Sequence, residues 1–182
     1  MSRITTVKER MVKDQIDGLV VSDGTDIKYL TGFTGEYGIS VLLLTAGKDY
    51  FITDGRFQFQ AKDEVPECEV VIMSGQQRTY YDATADLLKD LSLKRVAVQE
   101  GQITHSDYVR LINGNDHSEF IAAPAYLAEL RRVKTDEELL LIKEACRISE
   151  RSFYALLDFI KPGVTEIEIA NELERQFRNR GG

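Results

Sequence analysis

The sequence has few cysteines and histidines, the residues that build disulfide frameworks and zinc sites. It contains two cysteines, Cys68 and Cys146, which form no CxxC pair, and two histidines, His105 and His117. Disulfide frameworks and zinc knuckles need more of these residues at close spacing. The composition therefore argues against both, and two separate cysteines are typical of the reducing cytosol.

The chain also lacks an excess of positive charge. Its 23 Lys and Arg residues stand against 30 Asp and Glu residues, which gives a formal net charge of -7 at pH 7. A general nucleic-acid binder, or a protein that docks on anionic membranes, needs a basic surface. We therefore expect no nucleic-acid partner and no membrane partner.

Long apolar runs are missing as well. No run approaches the roughly 20 residues needed to span a bilayer, and the N-terminal stretch MSRITTVKERM lacks the apolar core of a signal peptide. These features predict a cytoplasmic protein. Hydrophobic residues make up 43% and charged residues 29% of the sequence, which is usual for a folded globular protein.

Short apolar runs alternate with helical patterns up to Pro124. Apolar spacing predicts a first helix at residues 4–16, with a left-handed cap at Gly18. It also predicts a brief second helix that ends at Leu30, and three further helices at 57–64, 80–91 and 104–112. The runs between them predict strands at 19–21, 40–44, 50–53, 68–73, 95–98 and 120–122, of which the second and third form a β-hairpin. This alternation predicts an α/β domain with a mixed sheet of five or six strands and helices on both faces.

The pattern changes after Ala125, where two amphipathic helices follow each other. Each is introduced by a capping box, Thr135 with Glu138 and Thr165 with Glu168, and Lys161-Pro162-Gly163 separates them. Their apolar stripes need a partner surface, because an isolated amphipathic helix is marginal in water. We expect the helices to pack on the α/β domain or to pair between chains, and the chain to stop inside a second domain.

The stretch YLTGFTGEYG, residues 29–38, allows three interpretations. A phosphate cradle is disfavoured because the loop leads from a helix into a strand, lacks a following Lys-Ser/Thr, and carries Glu36. A tight connection would use the glycines for the turn and would pack Phe33 and Tyr37 on the core. A lid would instead place these aromatic residues on a substrate held elsewhere.

Several stretches taken together resemble the Xaa-Pro peptidase family, which includes aminopeptidase P, prolidase and creatinase-like proteins. They are IKYLTGFTG at 27–35, TDGRF at 53–57 with Gln60-Ala61, LRRVK at 130–134 followed by Glu137-Glu138, Ile142 and Ala145, and IKPGVTE at 160–166. The resemblance implies an N-terminal α/β domain at residues 1–126. It also implies that residues 127–182 form a helical hairpin at the start of a truncated catalytic domain of the pita-bread fold.

In this family the catalytic domain binds two divalent metal ions, often manganese or cobalt, through Asp, His and Glu side chains. The resemblance therefore implies that the ligands lie outside this chain, and we assign it no catalytic residue, no metal ligand and no activity alone. From the sequence, His105 is a surface residue, His117 a turn residue, and Asp136-Glu137-Glu138 the first turn of a helix. Asp54 is interpreted as an N-cap and Arg56 as its local partner.

The resemblance also implies a homodimer in which the loop after Tyr29 reaches the active-site mouth of the partner subunit. Phe33, Glu36 and Tyr37 are then the candidates for substrate contact, with Glu36 meeting a free amino terminus and the aromatic rings covering a proline side chain. The full-length enzyme would hydrolyse the bond before proline in a peptide substrate, with aminopeptidase P favoured over prolidase. The alternative is a non-catalytic, dimerising interaction module of the same fold.

Overall fold

A computed structural model of the chain describes residues 2–73 and 79–182. The chain divides into two compact units, one ending at Arg131 and one running from Arg132 to Gly182. Within the described residues, the strands of the first unit are β1 (Gly18–Val21), β2 (Ser40–Thr45), β3 (Tyr50–Thr53), β4 (Glu69–Ile72), β5 (Arg95–Val98) and β6 (Glu119–Ala122). The helices are α1 (Arg3–Lys13), α2 (Gly24–Thr31), α3 (Gln58–Glu64), α4 (Tyr80–Asp90), α5 (His105–Asn113), α6 (Tyr126–Arg132), α7 (Asp136–Leu157) and α8 (Glu166–Arg178).

The strands of the first unit form one mixed, six-stranded sheet in the order β4-β3-β2-β1-β5-β6. Strand β2 runs antiparallel to both β1 and β3, whereas the pairs β1–β5, β3–β4 and β5–β6 are parallel. All strands except β2 therefore run in one direction. The predicted α/β fold with a mixed sheet and the predicted hairpin of β2 and β3 are confirmed.

Hydrophobic cores cover both faces of the sheet. Because successive side chains of a strand point to opposite faces, Leu19 and Val21 enter one core while Val20 enters the other. The first core contains side chains of α1, α2, α3 and α6, and the second contains those of α4 and α5. A strand buried on both faces needs a continuous apolar run, which explains the sequence SVLLL of β2.

Two local predictions at the start of the chain differ from the structure. Gly18 is not a helix cap but the first residue of β1, and the left-handed residue that follows α1 is Gln15, with φ of 57°. A β-carbon at Gly18 would lie 2.9 Å from Cδ1 of Leu93. The glycine therefore leaves room for the Leu93 side chain beside the sheet and does not end a helix.

The structure also contains a short helix, α6, that the sequence patterns did not indicate. It lies between Pro124 and the first capping box, and Tyr126 and Leu127 are buried in the core of the first unit, with Leu130 packed against it. A helix of seven residues has too few turns to show a periodic apolar stripe. By its packing, α6 therefore belongs with the sheet of the first unit.

The second unit is formed by α7 and α8. Both predicted capping boxes are present: the hydroxyl oxygens of Thr135 and Thr165 accept from the backbone N–H groups of Glu138 and Glu168, whose carboxylates accept from the threonine N–H groups at 2.9 and 2.8 Å. Helix α7 ends at Leu157, before the predicted break. Its exposed large hydrophobic residues are Leu139, Leu140, Leu141, Ile142, Phe153, Tyr154 and Leu157. Among the described residues, none of the helices has the length and apolarity that crossing a membrane requires.

Candidate functional site at the carboxyl edge of the sheet

The glycine-rich loop lies at the edge of the sheet where the parallel strands end. Strands β1, β3, β4, β5 and β6 finish at this edge, and the antiparallel strand β2 begins there. The loop joins the end of α2 to the start of β2, so its residues are held at this edge. In open α/β sheets, ligands bind outside the carboxyl ends of the strands, which makes this edge the first place to look for a site.

The loop is fixed to α3 by hydrogen bonds of Thr34. The carboxylate of Glu64 accepts from the Thr34 N–H at 2.7 Å and from its hydroxyl at 2.8 Å, and the amide of Gln60 donates to the same hydroxyl at 3.0 Å. The bond from the Thr34 N–H is the main reason why the pKa of Glu64 is lowered. Gly32 and Gly38, each with φ of 79°, supply the left-handed turns at the two ends of the loop.

Phe33 belongs to the core beneath the loop. Its side chain is buried, and the centroid of its ring lies 4.7 Å from the ring centroid of Phe51 and 6.4 Å from that of Phe57. A β-carbon at Gly35 would come within 2.3 Å of Cε1 of Phe33, so the loop backbone closes directly over this ring. For Phe33 the structure matches the tight-connection interpretation, because its ring does not reach the surface.

Glu36 and Tyr37 lie on the outer surface of the same loop. Both residues are exposed, Tyr37 to 69%, and the Tyr37 ring rests on Gly24 at the first turn of α2. The structure therefore separates the three residues singled out from the sequence. Phe33 anchors the loop, whereas Glu36 and Tyr37 present a carboxylate and an aromatic ring to the outside.

A second group of polar residues follows β3. Asp54 is the N-cap of a short 3-10 helix, Gly55–Phe57, and accepts from the Arg56 N–H at 2.9 Å. Its two carboxylate oxygens also accept from Nε and Nη2 of Arg56, at 3.1 and 2.8 Å. The hydroxyl of Tyr80 also donates to Asp54, at 2.8 Å. The Arg56 guanidinium holds the pKa of Asp54 well below its usual range, and burial raises that of Tyr80. These bonds confirm the prediction that Asp54 is an N-cap paired with Arg56.

At the point between β1 and β5, backbone donors are occupied by a side chain of the chain itself. These neighbouring strands lead to α2 and α5, which pack on opposite faces, and such a switch point commonly opens a ligand crevice. Here Oε1 of Gln99 accepts from the N–H groups of Ser22 and Asp23, at 2.9 and 3.1 Å. Gln99 thus takes the backbone donors that a ligand would need. No sequence pattern indicated this role, because its partners lie far away along the chain.

The residues present do not fit a metal centre. Throughout residues 2–73 and 79–182, no three His, Cys, Asp or Glu side chains converge in a way that could hold an ion. His105 is exposed at the start of α5, and the exposed His117 contacts the adjacent Asp116. We therefore assign no chemical step to a metal bound by these residues.

The fold and its order along the chain define a class of protein, an N-terminal α/β domain with a mixed sheet that is followed by a helical hairpin. Residues 3–133 match the Creatinase/Prolidase N-terminal domain, and residues 141–182 match Metallopeptidase family M24. The chain belongs to the creatinase/prolidase N-terminal domain family. The resemblance identified from the sequence motifs is thereby confirmed.

Known relatives cover both units. The chain is 33% identical over 166 residues to the uncharacterized peptidase YqhT of Bacillus subtilis, covering 91% of this chain and 46% of that protein. The solved Xaa-Pro dipeptidase from Bacillus anthracis is 32% identical with a TM-score of 0.85, covering 98% of this chain and 49% of the other. The X-Pro aminopeptidase from Thermotoga maritima is 30% identical with a TM-score of 0.77, covering 96% and 49%. The chain spans about half the length of these relatives.

Proposed function

We propose that this chain is the N-terminal part of a cytoplasmic, metal-dependent Xaa-Pro peptidase, which cleaves the peptide bond before proline. The observation that carries the proposal is the order of the two family matches, residues 3–133 followed by 141–182. The solved relatives with about 30% identity are described as an Xaa-Pro dipeptidase and an X-Pro aminopeptidase. Between these activities we propose the aminopeptidase.

We further propose that two divalent ions, manganese in the native enzyme, are bound by residues outside this chain. The match of residues 141–182 to Metallopeptidase family M24 supports the metal dependence. Paired metal ions activate water and polarise the scissile carbonyl. The chain by itself would then fold but would not hydrolyse peptides.

The role proposed for the first unit is to support a homodimer and to shape the mouth of the active site. Glu36 would pair with the free amino terminus of a peptide, and Tyr37 would cover the proline ring. Support comes from the exposure of both residues on a loop that Thr34 and Phe33 hold in place. Phe33 would act from beneath, by fixing the loop, rather than by touching substrate.

Peptide assays of the whole protein test the activity. We expect manganese-dependent cleavage of an Xaa-Pro-Yaa tripeptide at the Xaa–Pro bond, faster than cleavage of an Xaa-Pro dipeptide, and loss of activity with a chelator. Equal or faster dipeptide cleavage would assign the enzyme to the prolidase side of the family. Absence of cleavage with every metal tried would favour the non-catalytic, dimerising module instead.

Variants of the loop test the role of the first unit. Glu36→Gln and Tyr37→Ala should each lower kcat/KM for the tripeptide by about tenfold, because each removes one polar or aromatic contact to the substrate. Val12→Ala, at another exposed apolar position, is the matched control. We would abandon the substrate contact if both loop variants stayed within about twofold of the wild type. Sedimentation of the whole protein as a monomer would contradict the proposed dimer.

A further inference from the structure

Asp26 joins three segments that are distant in the sequence. It lies in the first turn of α2 and is only 6% exposed. Oδ2 of its carboxylate accepts from Nε2 of Gln99 at 2.6 Å, and Oδ1 accepts from Nη1 of Arg131 at 2.8 Å. Hydrogen bonds to an ionised carboxylate are stronger than those between neutral groups. The carboxylate therefore links the start of α2 to the turn after β5 and to the last residue of the first unit.

Gln99 gives this link a fixed orientation. Its Oε1 atom accepts from two backbone N–H groups, those of Ser22 and Asp23, so its amide cannot rotate without losing both bonds. The Nε2 group is left facing Asp26. The end of β1, the turn after β5 and α2 are thus connected by consecutive hydrogen bonds.

The other end of the link is helix α6, which contacts other elements of the first unit from its first residue to its last turn. Tyr126 is buried, its hydroxyl donates to the carboxylate of Asp14, and Glu129 pairs with Arg10 at 2.8 Å. Arg131 adds the bond to Asp26. Helix α6 is therefore held by α1 through its first residues and by α2 through its last turn.

We propose that Asp26 is a positioning residue, which holds α2 and the loop that α2 carries in a fixed relation to the end of α6. Helix α2 spans Gly24–Thr31, and the loop starts at Gly32, so a tilt of α2 would move Glu36 and Tyr37. The consequence for peptide binding rests on the proposed function, whereas the mechanical link does not. Loss of the Arg131 bond should loosen α2, although Arg131 lies far from the loop in the sequence.

The test compares Arg131→Met with Arg132→Met in the whole protein. Amide hydrogen exchange in residues 26–32 should become about tenfold faster in Arg131→Met, because one charge-assisted hydrogen bond is lost, and should not change in Arg132→Met. KM for the tripeptide should rise by about threefold with kcat retained, since binding rather than chemistry is affected. Arg131→Lys should restore most of the wild-type behaviour, because only one nitrogen of Arg131 makes the bond.

Asp26→Ala provides a second route to the same result, since it removes the bonds to both Gln99 and Arg131. Unchanged exchange of residues 26–32 in both Arg131→Met and Asp26→Ala would overturn the link. Faster exchange with an unchanged KM would overturn the positioning of the loop. Failure of the proposed function is distinct from either result, because it appears as unchanged kcat/KM in Glu36→Gln and Tyr37→Ala.

Discussion

The ring of Tyr37 lies directly against the α-carbon of Gly24. A β-carbon at Gly24 would come within 2.1 Å of Cδ1 and 3.0 Å of Cε1 of this ring. Gly24 is the first residue of α2, where other residues are compatible with the backbone, so the glycine is explained by the contact and not by its dihedral angles. The exposed Tyr37 side chain therefore packs at a defined position against the first turn of α2.

Gly24→Ala should displace Tyr37 without harming the fold. Gly24 is the first residue of its helix, where the preference for alanine over glycine is smaller than in a helix interior, and the exposed ring can move aside. The free energy of unfolding should therefore change by less than about 0.5 kcal/mol. In the whole protein, kcat/KM for the proline tripeptide should fall about as far as in Tyr37→Ala. Gly101→Ala is the control, since a β-carbon at Gly101 meets nothing within 4 Å. Full activity of Gly24→Ala would show that the contact of the Tyr37 ring with Gly24 is irrelevant to catalysis.

Phe33→Ala should destabilise the first unit strongly. The ring is 3% exposed and packs on Phe51 and Phe57, so its removal leaves a cavity, with an expected loss of about 3–5 kcal/mol in the free energy of unfolding. Urea denaturation of the chain measures this loss. The control, Phe59→Ala, removes a ring that is 82% exposed and should change stability by less than about 0.5 kcal/mol. Equal effects of the two substitutions would contradict the packing described for Phe33.

Asp54→Asn should reduce stability in a way that depends on pH. The pKa of Asp54 is lowered in the folded state, mainly by the hydrogen bonds from the Arg56 side chain. A lowered pKa contributes stability that is complete above the ordinary carboxyl pKa near 3.8 and is lost as the pH falls through the folded value. The difference in unfolding free energy between wild type and Asp54→Asn should therefore be constant near neutral pH and shrink below about pH 4. Asp63→Asn, at an exposed position of α3, is the control substitution.

The two cysteines should react at very different rates. Burial, together with the nearby negative charges of Asp49 and Glu67, raises the pKa of the Cys68 thiol to about 12, whereas Cys146 is exposed. Because the thiolate is the reactive form, a disulfide reagent should label one thiol of the native chain quickly and the second only in concentrated urea. Cys146→Ala should abolish the fast phase. A fast phase that persists in this variant would mean that Cys68 is accessible.

Local signals were sufficient to predict most of the first unit. Strands β3 and β5 begin and end at the predicted residues, because each is a compact apolar run between turn residues. The predicted first helix, 4–16, continues beyond the end of α1 at Lys13. Ile16 continues the apolar spacing and is buried, but it lies outside the helix. The role of Gly18 depends on contact with Leu93, which no local pattern contains.

The candidate site was predictable only in part, for the same reason. The glycine-rich stretch marked the loop, and its motif indicated the family, but the sequence placed Phe33 and Tyr37 together although only Tyr37 is exposed. The bonds between Asp26, Gln99 and Arg131 span 73 and 105 residues, so no spacing rule could have found them. Long-range polar contacts of this kind need the fold before they can be recognised.

The order of the strands has a consequence for synthesis on the ribosome. Strands β1 to β4 are neighbours in space and all precede Met73, so these four of the six strands can assemble as soon as that segment has emerged. The other edge of β1 must wait for β5, whose first residue is Arg95, and until then its backbone groups lack their final partner. A pause in translation between these two segments would leave a central strand as a temporary sheet edge, which is the state most exposed to pairing with another nascent chain.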